Sequence, residues 1–261
     1  MALRLSTALR NAVLGTQPLK LAMDNCVLKI YTGSQPSSAD AAPTGTLLCT
    51  YSSASGSLTR EVLAQGSVAL TGGASGSVDT LTVNSLEIMG SATSFNTSLT
   101  QTATDIVTKI TNNPKNQLFV ASNVGGTSAT ITITCKPGVG VVTWTVASTV
   151  TTITKTDTNI GTVTAGTAPA NCLQWGTVTA GTLAKLSTQT WSGAAAATGT
   201  AGWFRFEASV TDAGALDSAA VVMRMDGSVS TSSAELNLST TAITSGVTQT
   251  VDSFVVTLPT A

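Results

Sequence analysis

At 261 residues, with 42% of them apolar and a net charge of only −1, the chain lacks the polar, highly charged composition of a disordered protein, and it is long enough for one large or two modest domains with real cores. Charged residues are 10% of the sequence, the pI is about 5.3 and no basic run occurs, so nucleic-acid binding is not expected. No stretch of about 18 apolar residues suits a membrane-spanning helix.

In chain order, Ser6 caps a short helix whose apolar stripe is Leu9, Val13 and Leu14 and whose stop is Gly15. Arg4 and Arg10 interrupt that apolar pattern, which argues against a secretory signal core. A further helical turn is expected over 18–24, then strands over 26–32 and about 46–51. Between those strands runs "GSQPSSADAAPTG", a coil with Asp40 as its only charge. Pro36 and Pro43 stiffen it, and a coil already restricted by proline loses less entropy when it lies along a neighbouring subunit. Leu9, Arg10, Val13, Gln35, Pro36, Asp40 and Pro43 are therefore the candidate subunit interface.

The texture changes at about 52. Strands are expected over 66–71 and 78–83, with "TGGASGS" as the turn between them. One helix is expected over about 97–112, with Leu99, Ala103, Ile106, Val107 and Ile110 on one face and Thr97 or Ser98 as its cap. Strands at 117–122, 128–135, 141–147 and 149–155 follow. The heptad "GTVTAGT" occurs at 161–167 and again at 176–182, either by chance or as two matching β turns.

From about 172 bulky residues return. Trp175, Trp191, Trp203, Phe204, Phe206 and, in the closing strand, Phe254 are the expected core anchors. In "WFRFEAS" the alternation puts Arg205 and Glu207 on one strand face, where they are expected to pair. "AAVVMRMDGSVSTSSAELNLS" reads as a hairpin turning at Asp226-Gly227. The expected fold is mainly β: a β-sandwich-like domain, 1–51 with 172–261, split by an inserted small β-rich (α+β) domain at 52–171, with a short N-terminal helix.

The chain has no histidine, so a Ser-His-Asp triad, a Cys-His pair and an imidazole metal ligand are ruled out. Gly138-Val139-Gly140 lacks the helix start of a phosphate loop. A glycosidase needs only two carboxylates, but Asp212, Asp217, Asp226 and Glu235 are expected in turns or on exposed strand faces. No catalytic residue, metal, cofactor or small-molecule substrate is expected. Cys26, Cys49, Cys135 and Cys172 show no CxxC spacing, which disfavours zinc. Buried free thiols and later-formed disulfides both stay open. If Cys26 pairs with Cys49 and Cys135 with Cys172, each bond would restrict the unfolded chain by roughly 2–4 kcal/mol; bonds between subunits would instead lock a ring or lattice.

"LSTALRN" at 5–11 and "IYTGSQPSSADAAPTGTLL" at 30–48 resemble the start of a group of phage and prophage virion structural proteins. "TAGWFRF" at 200–206, "RMDGS" at 224–228 and "VDSFVVTLP" at 251–259 are similar to the closing part of the same group. The middle, "GSVALTGGASGSVDTLTVN" and the helix after it, is similar to segments of other phage structural proteins. The resemblance implies a virion protein assembled in the host bacterial cytoplasm. It would decorate the capsid or build the neck, collar or tail, as a homo-oligomer touching other virion proteins and with no enzymatic role. Two other readings stand beside it. A receptor-binding adhesin would hold host glycan on exposed Trp144, Trp175 or Trp191, and a glycan-cleaving tail enzyme would need two acids across a groove.

Overall fold

The computed structural model describes residues 3–15, 17–126 and 128–257. Strands make up 40% of the chain and helices 12%, so the fold is mainly β and sandwich-like. Two compact units result: Met1–Glu61 with Pro169–Ala261, and Val62–Ala168. The first boundary falls ten residues later than the change of texture at 51/52 indicates. Thr59 pairs with Ala170, and Glu61 with Val210, so 52–61 is stitched into the first unit by its backbone.

The first unit opens with β1 (Arg4–Leu5), α1 (Thr7–Gly15), α2 (Leu19–Met23), β2 (Val27–Thr32) and β3 (Leu47–Ser53). Ser6 caps α1, its Oγ accepting the Leu9 N–H at 3.3 Å. The second unit contributes β4 (Gln65–Gly72), β5 (Ser77–Val83), β6 (Leu86–Glu87), β7 (Thr93–Ser94), α3 (Leu99–Asn112), β8 (Phe119–Ser122), β9 (Thr130–Cys135), β10 (Val146–Thr151) and β11 (Thr154–Thr158). The chain then returns to the first unit with β12 (Thr182–Ala184), β13 (Trp191–Ala194), β14 (Gly199–Glu207), β15 (Arg224–Ser230), β16 (Leu236–Asn237), β17 (Ala242–Ile243), β18 (Thr248–Val251) and β19 (Val255–Thr257).

In the second unit β4 and β5 do not form a hairpin. β5 lies in the sheet β10-β5-β6, with β7 also on β5, whereas β4 lies in the sheet β11-β4-β9-β8. "TGGASGS" is thus a crossing between two sheets, which bury Val68, Leu70, Val78, Leu81, Ile131 and Ile133 with the α3 residues Ala103, Ile106 and Ile110. Ser98, not Thr97, caps α3, accepting the Gln101 N–H at 3.1 Å. The strands expected at 141–147 and 149–155 sit later, as β10 and β11. Thr152, in the left-handed region at φ 66°, makes the corner between them. The two "GTVTAGT" copies differ: the first lies alongside 62–65, the second closes a tight turn through Thr179 and Thr182.

The first unit is organised by one sheet of order β1-β15-β14-β2-β3-β13-β18, mostly antiparallel. β14 is central to its chemistry, with Phe204 opposite Gly227 on β15 and Ile30 on β2, and Arg205 opposite Asp226 and Lys29. Because side chains alternate, one face of these strands presents Leu28, Ile30, Phe204, Phe206, Met225 and Val229 to the apolar core, where Trp175, Trp191 and Phe254 join them. The other face carries Lys29, Tyr31, Trp203, Arg205, Glu207, Arg224, Asp226 and Ser228. Trp203 is fully buried but belongs to this polar face, stacked on Tyr31 at 4.5 Å between ring centres.

Asp226-Gly227 is not a turn; it lies in the middle of β15. Glycine is needed there because a Cβ would come within 2.5 Å of the Phe204 ring carbons. The closing segment is two short strands, β18 and β19, on different sheets, and the last two residues of "VDSFVVTLP" lie outside the described residues. No helix among the described residues is long and apolar enough to cross a membrane.

Candidate functional site

The densest polar chemistry in the chain is the ionic face of β2, β14 and β15. Arg205 donates from Nε and Nη2 to the two carboxylate oxygens of Asp226 at 2.8 and 2.7 Å, and both side chains are fully buried. Its guanidinium also lies over the Trp203 ring, 5.4 Å from the centroid. Burial pushes the Asp226 carboxyl above its ordinary range, against the pull of Arg205. Arg224 grips Asp212 the same way, at 2.6 and 2.7 Å. Burial acts upward on Asp212 too, but the Arg224 donors, the Gly214 N–H and the Arg224 charge outweigh it and hold the carboxyl below its usual range.

These two arginines also organise the segment that covers them. Arg224 Nη1 donates to the carbonyls of Asp40 at 3.1 Å and Ala41 at 3.3 Å, and Arg205 Nη2 to that of Ala39 at 3.3 Å. Arg4 donates to the Pro36 carbonyl. The Asp40 side chain meanwhile accepts the Thr7 N–H and hydroxyl, both at 2.8 Å, at the start of α1. Burial again acts upward, but the Thr7 and Ser38 hydrogen bonds and the Arg10 charge leave the Asp40 carboxyl below its usual range. Ser6 completes the junction, accepting the Arg224 N–H at 3.0 Å and donating to the Val222 carbonyl at 2.8 Å. The coil 33–45 is therefore a strap fastened to its own sheet.

This corrects several expectations. Arg205 and Glu207 share a face but do not pair with each other: Glu207 binds Lys29 at 2.6 Å and lies 3.6 Å from Arg60. Residues two apart on a strand can meet, as Lys155 and Asp157 do on β11, but here the neighbouring strands supply the partners: Asp226 lies directly opposite Arg205, and Lys29 lies diagonally from Glu207. Asp226 is in a strand core, not a turn. Of the candidate interface residues, Leu9 is buried in the core, Gln35 and Pro36 are buried, and Asp40 and Pro43 are half-buried; only Arg10 and Val13 are exposed. Of the partners missed, Arg224 was signalled by the alternation R-M-D at 224–226, whereas Asp212, in the coil before β15, carried no such signal.

All four cysteines are free and buried. Opposite strands put Ile30 across from Cys49, so Cys26, four residues before Ile30, is displaced by about 13 Å along the strand, beyond disulfide reach. Cys135 belongs to the core of the second unit and Cys172 to the first, where its thiol donates to the Thr59 carbonyl at 3.4 Å. Bonds between subunits would need these thiols at the surface. Burial pushes Cys49 up to about 11; burial and the Asp24 charge push Cys26 higher still, and burial also raises Cys172. Unfolded thiols ionise near pH 8.5 while these do not. Their contribution to stability is therefore complete below that pH and is lost as pH rises above it, by about 1.4 kcal/mol per pH unit for each thiol inside its window. A falling melting temperature between pH 8.5 and 10.5, made shallower by one thiol's share in Cys49→Ala, is the expected result of calorimetry.

A cleft of about 180 Å³ is lined by Lys29, Thr50, Leu58, Arg60, Glu207, Thr211 and Asp212. It holds two acids, but Glu207 is bound by Lys29, and Asp212 is held ionised by Arg224. A general acid needs a raised carboxyl, the opposite of what Asp212 has. Trp175 and Trp191 are buried edge to face at 5.5 Å, and Trp144 is half-buried against Phe119. The arrangement as a whole stores its charges pairwise and uses their spare donors to hold backbone. No protein-family model, curated protein or solved structure matches the chain.

Proposed function

We propose that this chain is a structural protein of a bacteriophage particle, decorating the capsid or forming part of the neck, collar or tail through contacts between copies and with other virion proteins. One observation carries the reading. The segments that resemble virion proteins, far apart in sequence, come together as one structural element. "IYT" ends β2, "GWFRF" lies in β14 and "RMDGS" opens β15, three strands side by side, and "LSTALRN" supplies the Ser6 junction and the helix held to them. The coil that continues the first resemblance is the strap that Arg205 and Arg224 fasten. A segment common to a family and buried as a unit is a scaffold, and its charges are engaged in holding that scaffold. The adhesin reading loses two of the three aromatic faces it could use, because Trp175 and Trp191 are inside the core, and keeps only the half-buried Trp144.

Quantitative mass spectrometry of purified particles tests the proposal by counting this chain against the major shell protein. A ratio near one, or a simple large fraction, identifies a decoration protein. A few copies per particle put it at the unique vertex. Its absence from particles overturns the structural reading.

A further inference from the structure

Twelve of the 13 acidic side chains hold a hydrogen bond or an ion pair; among the described residues the exception is Asp252. It is exposed and directly follows β18. The arginines divide in the same way. Arg60, Arg205 and Arg224 lie against carboxylates, whereas Arg4 and Arg10 form no ion pair among the described residues. Both line one open cleft of about 380 Å³ with Leu3, Leu5, Ser37, Ser38 and Ala39, and no carboxylate lines it. Arg4 gives an N–H to the Pro36 carbonyl and Arg10 one to the Thr7 hydroxyl at 2.9 Å; each guanidinium has five, so most of their donors stay free. Asp40, the nearest acid to Arg10, is already bound by Thr7 and Ser38.

The two unmatched features lie at opposite edges of one sheet. Arg4 is on β1, at one end of the strand order, and Asp252 follows β18, at the other. Five strands intervene, a path of about 29 Å along the sheet, and Asp252 is not among the residues that line its own chain's cleft. A second copy meets no such limit. We propose that Asp252 of one copy seats in the Arg4–Arg10 cleft of the next, a head-to-tail contact in which two planar guanidiniums and the Ser37 hydroxyl receive one carboxylate. Such a contact joins different surfaces on the two partners, so it propagates into a ring if the rotation closes and a filament if it does not. The inference rests on the reading of the chain as a self-assembling virion protein and adds the surfaces that assemble.

The test is sedimentation velocity of the full chain over a range of concentrations, at low and at high salt. Wild type is expected to self-associate, less so at high salt. Asp252→Lys and Arg10→Glu, both at exposed positions, are each expected to weaken association about tenfold or more. Asp252→Lys leaves the melting temperature unchanged, whereas Arg10→Glu lowers it modestly by facing Asp40, and Arg10→Gln, which adds no negative charge, separates that effect from lost association. An equimolar mixture of the two reversals restores association, because each variant's altered group then meets its complement. Association that ignores both reversals, reversals that mixing does not rescue, or a wild-type chain that stays monomeric would each overturn the contact. If Arg10→Glu alone blocks incorporation into particles while Asp252→Lys does not, the cleft takes a carboxylate of another virion protein, and the copy-to-copy contact is overturned. A monomer found in particles sinks this inference and leaves the structural role standing. Reversal and rescue in a chain absent from particles would do the opposite.

Discussion

Replacing Asp226 with alanine is expected to destabilise the first unit by about 3–5 kcal/mol, the cost of leaving Arg205 buried without its counter-charge. Both side chains of the pair are fully buried, so no water reaches the guanidinium to take the place of the two carboxylate oxygens. Arg205 also steadies the strap through the Ala39 carbonyl and lies over Trp203, so its displacement disturbs both. Urea unfolding of the variant is expected to show the midpoint falling with little change in slope. The double change Asp226→Leu with Arg205→Met is expected to recover most of the loss, since an apolar pair of similar volume removes the charge and its solvation cost together. Recovery would identify the orphaned charge as the cause. A double variant as unstable as the single one would instead point to specific hydrogen bonds, and an Asp226→Ala variant within 1 kcal/mol of wild type would refute the argument.

Phe206→Ala is the second large effect, again about 3–5 kcal/mol, from lost apolar area and the cavity left behind. Phe206 is fully buried, with Phe254 at 5.0 Å, Trp175 at 5.4 Å, Phe204 at 5.5 Å and Trp191 at 5.7 Å between ring centres. Four rings lean on this one, three of them from other stretches of chain, so the site cannot close around a methyl without moving several strands. Near-ultraviolet circular dichroism is expected to lose intensity along with the fall in melting temperature, because Trp175 and Trp191 lose a fixed neighbour. Phe206→Leu, which refills much of the volume, is expected to cost markedly less.

Local features were legible from the residues alone. Ser6 and Ser98 cap the helices they appear to cap, the strand cores fall close to where alternation puts them, and the two-faced character of β14 follows from "WFRFE". What failed depended on partners distant in sequence. Arg205 and Glu207 looked like a pair because they are neighbours on a face, but their true partners arrive on β15 and β2, and only the register identifies them. Asp226-Gly227 looked like a turn because that dipeptide favours one locally; the Phe204 ring, 23 residues away, is what demands the glycine. "TGGASGS" looked like a hairpin loop, yet its strands leave for different sheets. The coil 33–45 looked free to reach a neighbour because its own sequence contains almost no charge. Apart from Asp40, the charges that hold it are carried by other segments.

That last arrangement has an evolutionary side. The arginines grasp main-chain oxygens at Pro36, Ala39, Asp40 and Ala41, groups that every amino acid possesses, while Ser34, Ser37, Ala42 and Thr44 point outward and exposed. Apart from Asp40, the path of the strap is thus written in Arg4, Arg205 and Arg224 rather than in its own letters. The outer side chains of Ser34 and Ala42 are free to drift without the chain beneath them changing course.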